Sequence, residues 1–183
     1  NESSAASDVY KRQPFKYLCG AGVAYKLAQG LIKHPPQHFI ALAAIGTIAD
    51  LVSLTDENRY IVKQGLKILN SHTPSSIKAI LNQAGFNDEI TEETIGFIIG
   101  PRLNAVGRLE DASLAAELLL SDEFEEAEFL AEQVEHFNQE RKDIVSKITD
   151  EALILAEEQI KQGHLFLLPV SYTHLTLPTT PYV

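Results

Sequence analysis

A single cysteine, Cys19, stands among 183 residues. That excludes an internal disulfide framework and any cysteine-based zinc cluster, and it suits a reducing compartment. Its simplest role is that of a small buried apolar residue beside Leu18. No apolar run approaches the roughly 20 residues needed to cross a bilayer, and the first residues lack the basic, apolar and small-residue layout of a secretion signal. A soluble intracellular protein is the expectation. The six histidines, His34, His38, His72, His136, His164 and His174, show no HExxH or paired metal-ligand spacing and read as surface or loop residues. A glycine loop of the P-loop or dinucleotide-binding type is missing, and so is any internal repeat. Basic charge is scarce as well: 15 Lys+Arg against 25 Asp+Glu leave a net charge of −10. At first sight this argues against nucleic acid, because affinity for phosphate backbones rests on lysine and arginine.

The average misleads. Residues 1–109 hold 11 basic and 9 acidic side chains, residues 110–162 hold 4 and 16, and residues 163–183 hold none. The acidity belongs to one helical region and leaves the preceding stretch slightly basic. With 45% hydrophobic residues the chain can form one sizeable domain, or one domain and part of another. Its ends do not match its middle. NESSAASDVYKRQ (1–13) has no apolar period, and VSYTHLTLPTTPYV (170–183) is uncharged, with four threonines and two prolines. Both read as non-native, vector-derived or disordered tails.

Between them the periodicity is helical. Gly20–Lys33 places Val23, Tyr25, Leu27, Leu31 and Ile32 mostly on one side of a helix that His34-Pro35-Pro36 ends. Phe39–Ala49, FIALAAIGTIA, is almost wholly apolar; its length and alanine content favour a buried helix over a strand, with Gly46-Thr47 as a packing notch. Thr55-Asp56-Glu57-Asn58 starts another helix, which runs to the SHTPSS loop. A shorter one, Ile77–Ala84, stops at Gly85. Thr91 opens the next, with Ile95, Ile98 and Ile99 buried and Gly96 and Gly100 allowing close packing. Asp111 is placed to cap Ala112–Leu120, and Asp122 with Glu125 makes a capping pair for a long helix from about Glu123 to Gln162, closed by Gly163. The seam of that helix, Ala127, Ala131, Val134, Asn138, Arg141, Val145, Ile148, Ala152 and Leu155, alternates steps of four and three. Asn138 and Arg141 are its polar positions, where the helix leaves one body for another. HLFLLP (164–169) reads as a first strand of something further.

Two features carry chemistry. Asp50 follows eleven uncharged residues, so a carboxylate is delivered at the edge of an apolar body. It either caps the following turn or serves as a ligand for a hard divalent cation. In PRLNAVGRLEDASL (101–114), Arg102, Asn104 and Arg108 gather planar donors around a glycine, with only Glu110 and Asp111 to neutralise them. The alternatives are a decorated helix C-cap and a grip on phosphate oxygens.

Three segments, GAGVAYKLAQGL (20–31), AAIGTIADLVSLTDENRYIVKQGLKILN (43–70) and IGPRLNAVGRLEDASLAAELLL (99–120), resemble the RecJ family of single-strand-specific exonucleases within the DHH phosphoesterase superfamily. The resemblance extends from about Pro14 to Pro169. It implies a mostly α chain: the helical C-terminal part of an α/β DHH catalytic domain (14–121), a long connector helix (122–163) and the start of the DHHA1 domain (164–169). GTIAD is similar to the fourth metal-binding motif of the superfamily, making Asp50 a ligand of a two-metal Mn2+ or Mg2+ site that activates water for phosphodiester cleavage. RLNAVGR is similar to the phosphate-gripping motif, giving Arg102, Asn104 and Arg108 the DNA backbone. The resemblance further implies 5′-to-3′ hydrolysis of single-stranded DNA in repair and recombination, a bacterial cytoplasmic setting, and single-strand-binding protein or a helicase as partners. The Asp-His-His motif and the earlier aspartate-rich motifs have no counterpart before Pro14, nor has the glycine-rich segment of the second domain after Pro169, so the chain by itself is expected to be inactive. Two rivals are a DHH phosphoesterase acting on short oligonucleotides or dinucleotides, and a non-catalytic helical module that docks proteins through the acidic long helix.

Overall fold

In the computed structural model the described residues are 15–109 and 112–163, with the side chains of Arg108 and Leu109 left out. The terminal tails, the strand expected at 164–169 and the Asp111 cap lie outside them. Among the described residues there are helices and no strands. In chain order the elements are α1 (Gly20–Leu31), α2 (Gln37–Ala49), α3 (Asp56–Ser71), α4 (Ser75–Gln83), the single turn α5 (Glu92–Thr94), a π-helical segment (Ile95–Ile99), α6 (Gly100–Leu109), α7 (Ser113–Leu120) and α8 (Phe124–Lys161).

α2 is the centre of the first half. A helix apolar on every side has no solvent face to offer, and Ile40, Ala41, Ala43, Ala44, Ile45, Thr47 and Ile48 are all buried in it. Its neighbours approach through glycine notches. A Cβ on Gly46 would stand 2.5 Å from the Ala21 Cβ of α1, and a Cβ on Gly65 of α3 would stand 2.9 Å from the Ile40 carbonyl oxygen of α2. Both distances are below contact, so these glycines set the interaxial spacing. The Thr47 hydroxyl is satisfied by the Ala43 carbonyl at 2.6 Å, as a buried hydroxyl must be. Cys19 is buried and caps α1, its Sγ accepting from the Gly22 amide at 3.4 Å. α1 is shorter than its sequence pattern, and most of its apolar side is uncovered: Leu27 and Leu31 are 62% and 77% exposed.

α8 organises the second half. α4, α6 and α7 all pack on its first part, burying Ala127, Leu130, Ala131, Val134 and Asn138. Past Asn138 none of its residues is buried, and Val145, Leu153, Ile154 and Ile160 are at least half exposed. The capping pair expected from Asp122 and Glu125 does not form. Glu123 is the N-cap residue without a side-chain bond, and Ser121 Oγ donates to a carboxylate of the first turn, Glu126 Oε2, at 2.8 Å. Gly163 closes α8 at φ 81° with its amide on the Ile160 carbonyl, a left-handed position that glycine occupies without steric cost.

Candidate nucleic-acid interface

Asp50 ends α2. Its amide donates to the Gly46 carbonyl at 3.0 Å, and its side chain is exposed. The next residue, Leu51, has φ 55° and is 88% exposed. Left-handed backbone costs a residue with a Cβ about 1–2 kcal/mol, so the chain leaves α2 through a strained turn rather than through the glycine that usually ends a helix. Asp56, at φ 44°, is a second such position. The Asp50 carboxylate is thereby held at the end of a rigid, buried rod while the chain turns away beside it.

The second motif does not lie between two helices as its composition predicts. α5, the π segment and α6 run on without a break, and RLNAVGR falls inside α6. The physical reason is Pro101. A proline in a helix interior lacks a donor and clashes with the carbonyl four residues back, and here the wider π turn immediately precedes it. The Gly100 amide bonds to the Ile95 carbonyl, five residues back. Such single π turns recur at functional sites. Thr91 and Thr94 cap the start reciprocally, and Ile95 and Ile99 are fully buried. Gly96 and Gly100 bring the stretch against the end of α2: a Cβ on Gly100 would meet the Ala49 Cβ at 3.5 Å.

Within α6 two of the three expected phosphate ligands have described side chains, and these separate. Arg102 is 8% exposed and turned inward; its Nε pairs with Glu135 Oε2 of α8 at 2.5 Å, and its Nη1 donates to the Ile98 carbonyl at 2.9 Å. Its polar contacts go to the protein interior, because this turn of α6 faces α8. Asn104 is exposed. The Arg108 side chain lies outside the described residues.

A cleft of about 230 Å3 joins these pieces. Ala49, Gly96, Gly100, Pro101, Asn104 and Arg141 line it, so the residue before Asp50, the π turn, the arginine motif and α8 meet at one place. Sequence reasoning singled out Arg141 only as a polar break in a heptad seam. Its arrangement is more specific. Asn138, 1% exposed, donates to Glu135 at 3.2 and 3.3 Å and accepts from Arg141 Nη2 at 3.1 Å. Glu135 thus faces Arg102, Asn138 and, at 3.7 Å, Lys142.

As a metal site the described residues are insufficient. A carboxylate suits Mn2+ or Mg2+, but such a cation takes about six oxygen ligands. Among the described residues no three His, Cys, Asp or Glu side chains gather to share an ion. Asp50 can be one ligand of a site and cannot be the site. No helix among the described residues is long and apolar enough to cross a membrane.

No family model matches the chain, but individual proteins do. It is 49% identical over 147 residues to the single-stranded-DNA-specific exonuclease RecJ of Bacillus subtilis, covering 80% of this chain and 19% of that one. Against the Escherichia coli enzyme of the same name identity is 37% over 162 residues, covering 79% and 28%. The fold agrees. The crystal structure of RecJ from Thermus thermophilus in complex with Mg2+ superimposes with a TM-score of 0.67 at 30% identity, covering 79% of this chain and 24% of that one. A crystal structure of exonuclease RecJ bound to manganese gives 0.68 at 30% identity, covering 80% and 39%. The fold is therefore that of a helical segment of a DHH-family protein. Sequence and fold together place the chain in the RecJ family, and it spans about a fifth to just over a quarter of the length of the curated relatives it matches.

Proposed function

We propose that this chain supplies part of the substrate-holding face and one metal ligand of a metal-dependent exonuclease that degrades single-stranded DNA from the 5′ end in repair and recombination. Asp50 provides a carboxylate to a two-metal centre completed by other motifs, and the metals supply charge neutralisation and an activated water. Asn104 and Arg108 hold the sugar-phosphate backbone, Arg102 fixes the height and tilt of α6 on α8, and α8 is the connector to a further domain. One observation carries this reading: Ala49, the residue preceding Asp50, and Asn104 line a single cleft, which supports a common bound group for the two motifs. Single-stranded DNA as substrate is supported by the names of the relatives in B. subtilis and E. coli, and divalent metal by the ions in the solved RecJ structures. The test uses a full-length RecJ-type protein carrying this segment. Asp50→Ala should abolish turnover with DNA affinity largely kept, and Arg108→Ala or Asn104→Ala should weaken DNA binding. Intact turnover in the Asp50 variant would remove the metal assignment.

A further inference from the structure

Arg141 lines the cleft from the α8 side, and among the described residues its buried Nε makes no hydrogen bond and, unlike Arg102 Nε, has no carboxylate paired with it. Among the described residues it forms no ion pair, since Glu135, the nearby carboxylate that would neutralise it, is engaged by Arg102 and Lys142. Asn138 fixes the guanidinium through Nη2 and cannot compensate its charge, because an amide oxygen is neutral. A buried donor without an acceptor is costly and needs a reason. The setting makes it more unusual: residues 110–162 carry 16 acidic against 4 basic side chains, yet this cation lines a cleft that has no carboxylate among the described residues lining it. Asn104, a neutral donor, Gly96, Gly100, Ala49 and Pro101, which offers no N–H, complete the described lining. A guanidinium steadied by Asn138 and an amide that line one cleft are chemistry for one phosphate oxygen pair.

We infer that the cleft between α6 and α8 is a phosphate subsite in which Arg141 and Asn104 hold one phosphate group of a nucleic-acid strand. The inference rests on the nucleic-acid reading above and adds to it a ligand-binding residue on the long helix. Arg141 acts on the bound strand directly, and Asn138 is its positioning residue.

The experiment measures binding of a short oligothymidylate, with and without a 5′-phosphate, to the 183-residue chain by fluorescence anisotropy across a salt series. Arg141→Gln should weaken binding about tenfold, the loss of one charge-assisted hydrogen bond. It should also lower the slope of log affinity against log salt by about 0.7, the value for one phosphate contact on a single strand. Arg141→Lys should keep the slope and lose part of the affinity, because the charge stays while the planar fork goes. An equal loss for both oligonucleotides assigns an internal phosphodiester to the cleft; a loss confined to the phosphorylated one assigns the terminal phosphate. Unchanged affinity and slope in Arg141→Gln, with Arg108→Ala still weakening binding, overturns the subsite and leaves the broader reading standing. Absence of binding by the unaltered chain overturns the subsite, and the broader reading then stands or falls on the full-length test above. Should Arg141→Gln fail to fold, Arg141→Lys decides: wild-type affinity there overturns the subsite.

Discussion

Removing the Arg102 side chain tests whether this arginine is structural, as its surroundings indicate, or a surface cation. Arg102→Ala deletes an ion pair at 2.5 Å between side chains that are 10% and 23% exposed, and a hydrogen bond of 2.9 Å to the Ile98 carbonyl. Breaking a fully buried pair costs about 3–5 kcal/mol, because the remaining charge is stranded. Glu135 is not fully stranded. It keeps two Asn138 contacts at 3.2 and 3.3 Å and Lys142 at 3.7 Å, and its remaining exposure admits water. The expected loss is therefore below that range, about 2–3 kcal/mol, or roughly 5–10 °C in Tm for a chain of this size. Urea denaturation followed by circular dichroism measures it. A cycle with Glu135→Ala should return a coupling of about 1–2 kcal/mol. A loss under about 0.5 kcal/mol with no coupling would refute the buried-pair account and return Arg102 to the group of exposed phosphate ligands.

Gly65→Ala and Gly30→Ala should move stability in opposite directions. At Gly65 the new Cβ falls 2.9 Å from a backbone oxygen of α2, and overpacking of about 1–3 kcal/mol outweighs the helix-propensity gain of up to about 1 kcal/mol. At Gly30 nothing lies within 4 Å, so only a gain of about 0.5–1 kcal/mol remains; equal signs in the two denaturation midpoints would contradict the notch. Burial, then the Tyr60 phenol, pushes the Tyr25 phenol above its usual 10, with Lys26 opposing. A raised folded-state value favours the neutral form, so its contribution is complete below pH 10 and is lost as pH rises through the folded value. Stability should thus fall above pH 10, and less so in Tyr25→Phe. The purified 183-residue chain should release no nucleotides from single-stranded DNA with Mn2+ present, and metal-dependent release would show that Asp50 finds its co-ligands within this sequence.

The helices were legible wherever local chemistry agreed with the fold. The uninterrupted apolar run ending at Asp50, the proline stop after Lys33 and the glycine stops at Gly85 and Gly163 each act through their own backbone or burial. What misled was Pro101. Proline normally marks a boundary, so the arginine motif read as a connection between helices, whereas a π turn absorbs the proline and carries the helix through. Nothing in IGFII announces a π turn, since its cause is the proline that follows together with packing against α2. The inward turn of Arg102 was equally invisible. It depends on Glu135, 33 positions further along, facing α6, and a pairing of that range has no local signature.

The same helical continuity governs how the site is divided. Because α6 is a rigid continuation of the π segment, its side chains sort by helical face: Arg102 meets Glu135 of α8 and is neutralised, while Asn104 shares with Gly100 and Gly96, four and eight residues back, the face that lines the cleft. Had the motif been a loop, both could converge on one ligand. A helix forbids this for residues two apart, which lie about 200° round the axis from each other. The cation that Asn104 needs across the cleft must then come from another element, and Arg141 of α8 stands there. Glu135 and Asn138, neighbours on successive turns of α8, keep the two arginines apart: the carboxylate takes Arg102, and the amide steadies Arg141 without cancelling its charge. Giving the second arginine a carboxylate of its own should give it the fate of the first. In Asn138→Asp, Arg141 gains a buried carboxylate partner at the position of the amide, and oligonucleotide affinity should fall nearly as far as in Arg141→Gln although every arginine is still present. Undiminished affinity in that variant would mean that the charge on Arg141 plays no part in holding the strand.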